Sequence, residues 1–221
     1  MRAEVAIFFL ISFFFQGAGG IYSLCLDARL HVLGGNNQTI QELRTGKLRW
    51  YEYALSASVM TMLLAQLLGL TSLGYQLLIV GSTSSTMFFG LLQELSFYRG
   101  TPGPSTWKQI QPHVFGWSSH VGVWATLFAT YFVTVNSIDA SQGISAVIKS
   151  VLPGTFFLFT LFAVLQLLQI RAQRENVYFG SETAACIQIS FYKFELLYLI
   201  LSLTTKVFLG WQIYRGVLSH R

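Results

Sequence analysis

Six stretches of about 20 mostly apolar residues constrain this chain more than any other feature: 5–26, 50–70, 75–95, 115–135, 146–170 and 186–217. Each is long enough to cross the roughly 30 Å hydrocarbon core of a bilayer as a helix. A chain in lipid must satisfy its own backbone hydrogen bonds, which leaves only helices and closed barrels. The stretches are continuous rather than alternating, so the expected fold is an all-α membrane protein, a single bundle spanning residues 1–221. The first stretch exceeds the apolar core of a secretory leader and lacks a clean cleavage site after it. Composition agrees, with 10% charged residues against about 25% in soluble domains. The net charge of +5 is spread thinly, which suits loops facing anionic lipid and gives no footprint for nucleic acid. Cys25 and Cys186 have no metal-site or disulfide spacing and read as small apolar fillers. No arrangement of residues suggests an enzyme.

Charge sets the expected orientation. The segments 27–49, 96–114 and 171–185 carry Arg29, Arg44, Lys47, Arg49, Arg99, Lys108, Arg171 and Arg174. The other two connections, around 71–74 and 136–145, have neither lysine nor arginine. The positive-inside rule makes the first set cytoplasmic and, with six spans, places the C-terminus outside.

Ionisable groups inside spans are costly and mark function by default. Lys206 lies deep in the last span, between Leu203 and Val207-Phe208-Leu209. A buried lysine loses its proton easily and becomes nucleophilic, the chemistry of a Schiff base with an aldehyde. The resulting cation needs a counterion. Glu52, near the start of the second span, is the available acid. Glu195 precedes Lys206 on the same helix by about 16 Å, too far for a direct pair and better suited to the cytoplasmic end. The competing reading is a Lys206–Glu52 ion pair that only locks two helices.

The residues around these two positions resemble a family. The run from Glu195 through Tyr198, Ser202 and Lys206 to Gly210-Trp211-Gln212 resembles the seventh helix of the heliorhodopsins. The run Arg49-Trp50-Tyr51-Glu52-Tyr53, with Ser56 and Ser58, is similar to their third helix. Phe89-Gly90 with Gln93-Glu94, Phe115-Gly116 with Trp124, and Phe162-Ala163 with Gln166 and Gln169 extend the likeness from about residue 3 to the C-terminus. The resemblance implies a rhodopsin-like bundle with all-trans retinal bound covalently to Lys206, Glu52 as counterion, and Ser56 and Ser202 beside the linkage. It also implies an external C-terminus, the orientation that loop charge gives.

The family has seven helices where six spans are counted, so its first helix and the long external loop after it are expected to be missing. Its second-helix histidine corresponds to Gln16. Retinal needs an apolar slot with aromatic walls. Trp124, Met87 and Phe159, with Phe156 and Phe157, are candidates. Gln93 and Glu94 are expected at a solvated helix end, and His120 as a core histidine or a proton relay. Glu195, Gln16, His120 and Arg49 are the relay candidates. Gly17, Gly19 and Gly20 permit close helix approach, in the bundle or in a homodimer. Three functions follow: a photoreceptor acting on a signalling partner, a light-driven or light-gated proton conductor such as some viral members of the family, and a membrane regulatory protein without chromophore.

Overall fold

A computed structural model describes residues 38–98, 106–137, 146–178 and 184–219. Five α-helices occupy them: α1 Gln38–Leu67, α2 Leu73–Tyr98, α3 Thr106–Ser137, α4 Ala146–Tyr178 and α5 Ala184–Ser219. They fall into two compact units, Met1–Ala140 with α1, α2 and α3, and Ser141–Arg221 with α4 and α5. The expected span 5–26, and with it Gln16, Gly17, Gly19, Gly20 and Cys25, lies outside the described residues.

The other five expected spans each lie almost wholly within one helix, but the helices overrun them. The expected loop 27–49 is corrected: α1 starts at Gln38, so Arg44, Lys47 and Arg49 are helical. Likewise α2 and α3 enter the expected loop 96–114, and α4 and α5 enter 171–185. Hydropathy marks only the part of a helix that suits hydrocarbon. The 30 residues of α1 measure about 45 Å at 1.5 Å per residue, well beyond the apolar core thickness. Among the described helices, Leu73–Ser96, Lys149–Arg171 and Phe194–Gln212 are apolar enough to cross a membrane, with mean hydropathy of 1.2, 2.1 and 1.4. The spans 50–70 and 115–135 carry Ser, Thr, Trp and Tyr, which lower the mean without shortening the helix.

Burial is arranged as a bilayer requires. Leucines and phenylalanines such as Leu77, Leu168, Leu203 and Phe132 face outward, while Ser58, Thr61, Thr83, Gln166 and Lys206 are buried. In water this pattern would be unfavourable; in lipid, polar groups turned inward bind neighbouring helices.

In the first unit α1 and α2 form an antiparallel hairpin. The turn is built on Gly69, whose φ of 88° is left-handed. Its N–H donates to Gln66 O at 3.0 Å and that of Leu70 to Ala65 O at 2.9 Å, a Schellman end that satisfies the last carbonyls of α1. Small residues then let the helices approach. Ser58 Oγ lies 2.8 Å from Ser84 Oγ, and Thr61 Oγ1 lies 3.1 Å from Thr83 Oγ1. The same register, continued away from the turn, brings Trp50 onto Gly90 and Arg49 to Glu94.

In the second unit α4 and α5 are also antiparallel. Ser150 donates to Gln212 at 3.2 Å, Phe208 packs on the bare backbone of Gly154, and Phe162 stacks on Tyr198. These three contacts fix the register along the site.

Candidate functional site

The candidate residues are distributed over both units, and each group is described within its own. Lys206, Ser202, Glu195 and Phe159 belong to the second unit; Arg49, Glu52, Ser56, Met87, His120 and Trp124 belong to the first.

On α5, Tyr198, Ser202, Thr205, Lys206 and Leu209 are buried while Leu199, Leu203 and Val207 face outward. The spacing of three and four puts the buried set on one helix face. Lys206 is only 1% exposed, so its amine is enclosed rather than snorkelling to an interface. Long side chains on a helix lean toward its N-terminus, which carries the amine toward the level of Ser202. The α4–α5 register puts Thr155 near the level of Lys206, Phe159 near Ser202 and Gln166 near Glu195. Phe159 and Thr155 are buried. Beyond them the Phe162 and Tyr198 rings lie 6.3 Å apart at 27°, an aromatic layer between the lysine and the half-buried Glu195. Phe157 is corrected as a candidate wall: it is 61% exposed and faces away from the interior of its unit.

On α1, Glu52 is half-buried and Ser56 is buried one turn later. Arg49 lies one turn before Glu52, and its Nη2 is 2.9 Å from Glu94 Oε2. Trp50 Nε1 donates to the same oxygen, and the Arg49 guanidinium lies 5.3 Å over the Trp50 ring. The expectation of a solvated end at Gln93 and Glu94 is overturned, since they are 1% and 6% exposed. They are enclosed by the neighbouring helices, Glu94 against Arg49 and Trp50 of α1 and Gln93 against His113 of α3. Gln93 Oε1 accepts the backbone N–H of His113 at 3.2 Å. That donor stands directly after Pro112, inside α3, where proline removes one helical N–H and disturbs the adjoining turn.

On α3, His113, Trp117, His120, Trp124 and Phe128 rise along one stripe, successive ring centroids 5.8 to 6.3 Å apart. Trp117 Nε1 donates to His113 Nε2 at 2.8 Å, which leaves the His113 proton on Nδ1. His120 is buried between Trp117 and Trp124, and Trp124 and Met87 are buried too.

Sequence reasoning missed the Arg49–Glu94 pair, although a signal was present. Arg49 starts one span and Glu94 ends the next, so a short hairpin places both at the same depth. Tyr198 was also missed as a buried group, though it lies one turn before Ser202 on the lysine's face.

Long helices with polar groups turned inward, and a lysine enclosed midway along the last of them, define an integral membrane protein of the rhodopsin kind. The heliorhodopsin family model matches residues 29–218, and the chain belongs to this family of retinal-binding rhodopsins. No curated protein matches the chain. Residues within the second unit suit the family's chromophore: the enclosed Lys206 offers a primary amine, the group that condenses with an aldehyde, and buried Phe159 offers apolar surface on the neighbouring helix.

Proposed function

We propose that this protein is a light-sensing photoreceptor that carries all-trans retinal on Lys206, with Glu52 as counterion. When bound as a protonated Schiff base, retinal supplies light absorption and isomerisation. The chain does the rest. Lys206 holds the chromophore by its amine, and the tight α4–α5 packing around it excludes water. Ser202, one turn earlier on the buried face, offers a hydroxyl to the nitrogen region. Glu52 supplies the negative charge that an enclosed cation requires, and Ser56 lies on the same face of α1. Trp124, Met87 and Phe159 contribute walls. The protein acts from within the bilayer with its C-terminus outside, as a homodimer that passes the light signal to a partner protein. The enclosure of Lys206 is the observation that carries this reading.

The test is a visible spectrum of the protein expressed with retinal, compared with that of Glu52→Gln. A retinal-dependent band is expected, moved to longer wavelength in the variant, because losing the carboxylate destabilises the ground-state cation more than the excited state. No band from the folded protein would reject the reading. An unmoved band would reject Glu52 as counterion.

A second reading, a light-driven or light-gated proton conductor, is favoured by one observation. Glu195, Tyr198, Ser202 and Lys206 follow one another at helical spacing on one face of α5, with Gln166 level with Glu195. Under voltage clamp this reading expects a photocurrent that Glu195→Gln reduces at least tenfold. Absence of current in the unsubstituted protein leaves the photoreceptor and removes the conductor.

A further inference from the structure

Arg49 and Glu52 are three residues apart on α1, a spacing at which an arginine and a carboxylate share a helix face. A cation there would offset much of the field that Glu52 supplies. The structure directs the guanidinium across to α2, where Glu94 Oε2 receives it at 2.9 Å. Glu94 is itself held. Trp50 donates to the same oxygen and lies under the guanidinium. The Trp50 ring can occupy that position because Gly90 has no side chain. Gln93, next to Glu94, is tied to α3 through the His113 N–H. Both members of the pair are more than nine-tenths buried, so the interaction is little screened by solvent or salt.

We infer that Glu94 is a positioning residue for the chromophore's charge environment: by holding Arg49 and compensating its charge, it limits how far that cation offsets the field of Glu52. This deepens the retinal reading and rests on it. The colour of the pigment then depends on a carboxylate on a different helix from both Lys206 and Glu52. Removing the Glu94 charge takes away one compensating carboxylate from Arg49, one turn from Glu52, and weakens the negative field there. The band should move to longer wavelength, in the direction of Glu52→Gln but by less. Removing Arg49 as well restores the charge balance.

The experiment compares visible spectra of the retinal-bound protein with those of Glu94→Gln, Glu94→Asp and the double variant Glu94→Gln/Arg49→Gln. The expected result is a band at longer wavelength in Glu94→Gln, a near-unchanged band in Glu94→Asp, and a return toward the original in the double variant. A residue that only braces the helices would not show this charge-dependent cancellation. An unmoved band in Glu94→Gln, equal shifts in Gln and Asp, or additive shifts in the double variant would overturn the inference. If Glu94→Gln leaves a buried arginine too costly to fold, the double variant carries the test, and a band at longer wavelength there overturns it. Absence of any band in the unsubstituted protein would instead sink the retinal reading itself.

Discussion

Lys206→Ala is expected to abolish the retinal-dependent visible band completely while the protein still folds and inserts. The side chain is enclosed on a helix face with Ser202, Thr205 and Leu209, and a charged ammonium in such a place costs free energy unless it is paired or consumed by a covalent bond. Removing it leaves a cavity but breaks no backbone hydrogen bond and adds no charge to the interior, so the helix should still form and insert. Lys206→Arg separates the two meanings of the residue. A guanidinium keeps the positive charge but stays protonated and cannot condense with an aldehyde. If Lys206 were only an ion-pair partner locking two helices, Arg would be tolerated better than Ala and no band would exist to lose. If it carries retinal, both variants lose the band, and reduction with borohydride links retinal to the unsubstituted protein alone. A band that survives in either variant would reject Lys206 as the attachment site.

Some of this was legible in the sequence, and the physics explains which parts. Helix existence was legible because an apolar run in lipid has few alternatives. Helix ends were not, because hydropathy changes at the hydrocarbon boundary while the backbone hydrogen-bond ladder of α1 continues to Gln38 and that of α4 to Tyr178. Lys206 stood out because a lone cation in an apolar run has one cheap explanation, function. Glu94 did not, because a charged residue at the end of a span is usually solvated, and only the hairpin register reveals that Arg49 comes to meet it. Phe157 and Phe159 show the same limit on a smaller scale. Two residues apart on α4, they are alike in chemistry, yet one faces outward and the other inward. Rotation about the helix axis separates them, and in a span apolar on all sides the sequence carries little record of that rotation.

Gly90→Leu is expected to destabilise the first unit by about 3 kcal/mol. The Trp50 ring lies directly on the Gly90 backbone, so a Cβ there would overlap its six-membered ring. Trp50 is buried and cannot swing into open space without cost. Overpacking a tight interior typically costs about 1–3 kcal/mol. Displacing the indole also removes its hydrogen bond to Glu94 and the surface beneath the Arg49 guanidinium, a further loss of about 1–3 kcal/mol for a buried polar group left unsatisfied. For a chain of this size a loss of about 3 kcal/mol, within that combined range, corresponds to a thermal midpoint lower by roughly 6–12 °C, since each kcal/mol shifts it by about 2–4 °C. Gly81→Leu and Gly122→Leu provide the control. Both positions have open space around an added Cβ, and a leucine there faces outward with the neighbouring apolar residues. Circular dichroism melts in detergent should leave those two variants close to the original and lower Gly90→Leu alone. Combining Gly90→Leu with Trp50→Ala should cost less than the two single losses together, because the second change removes the obstacle met by the first. Equal melts for the three leucine variants, or strict additivity in the double variant, would show that Trp50 does not depend on Gly90 for its place beside Glu94.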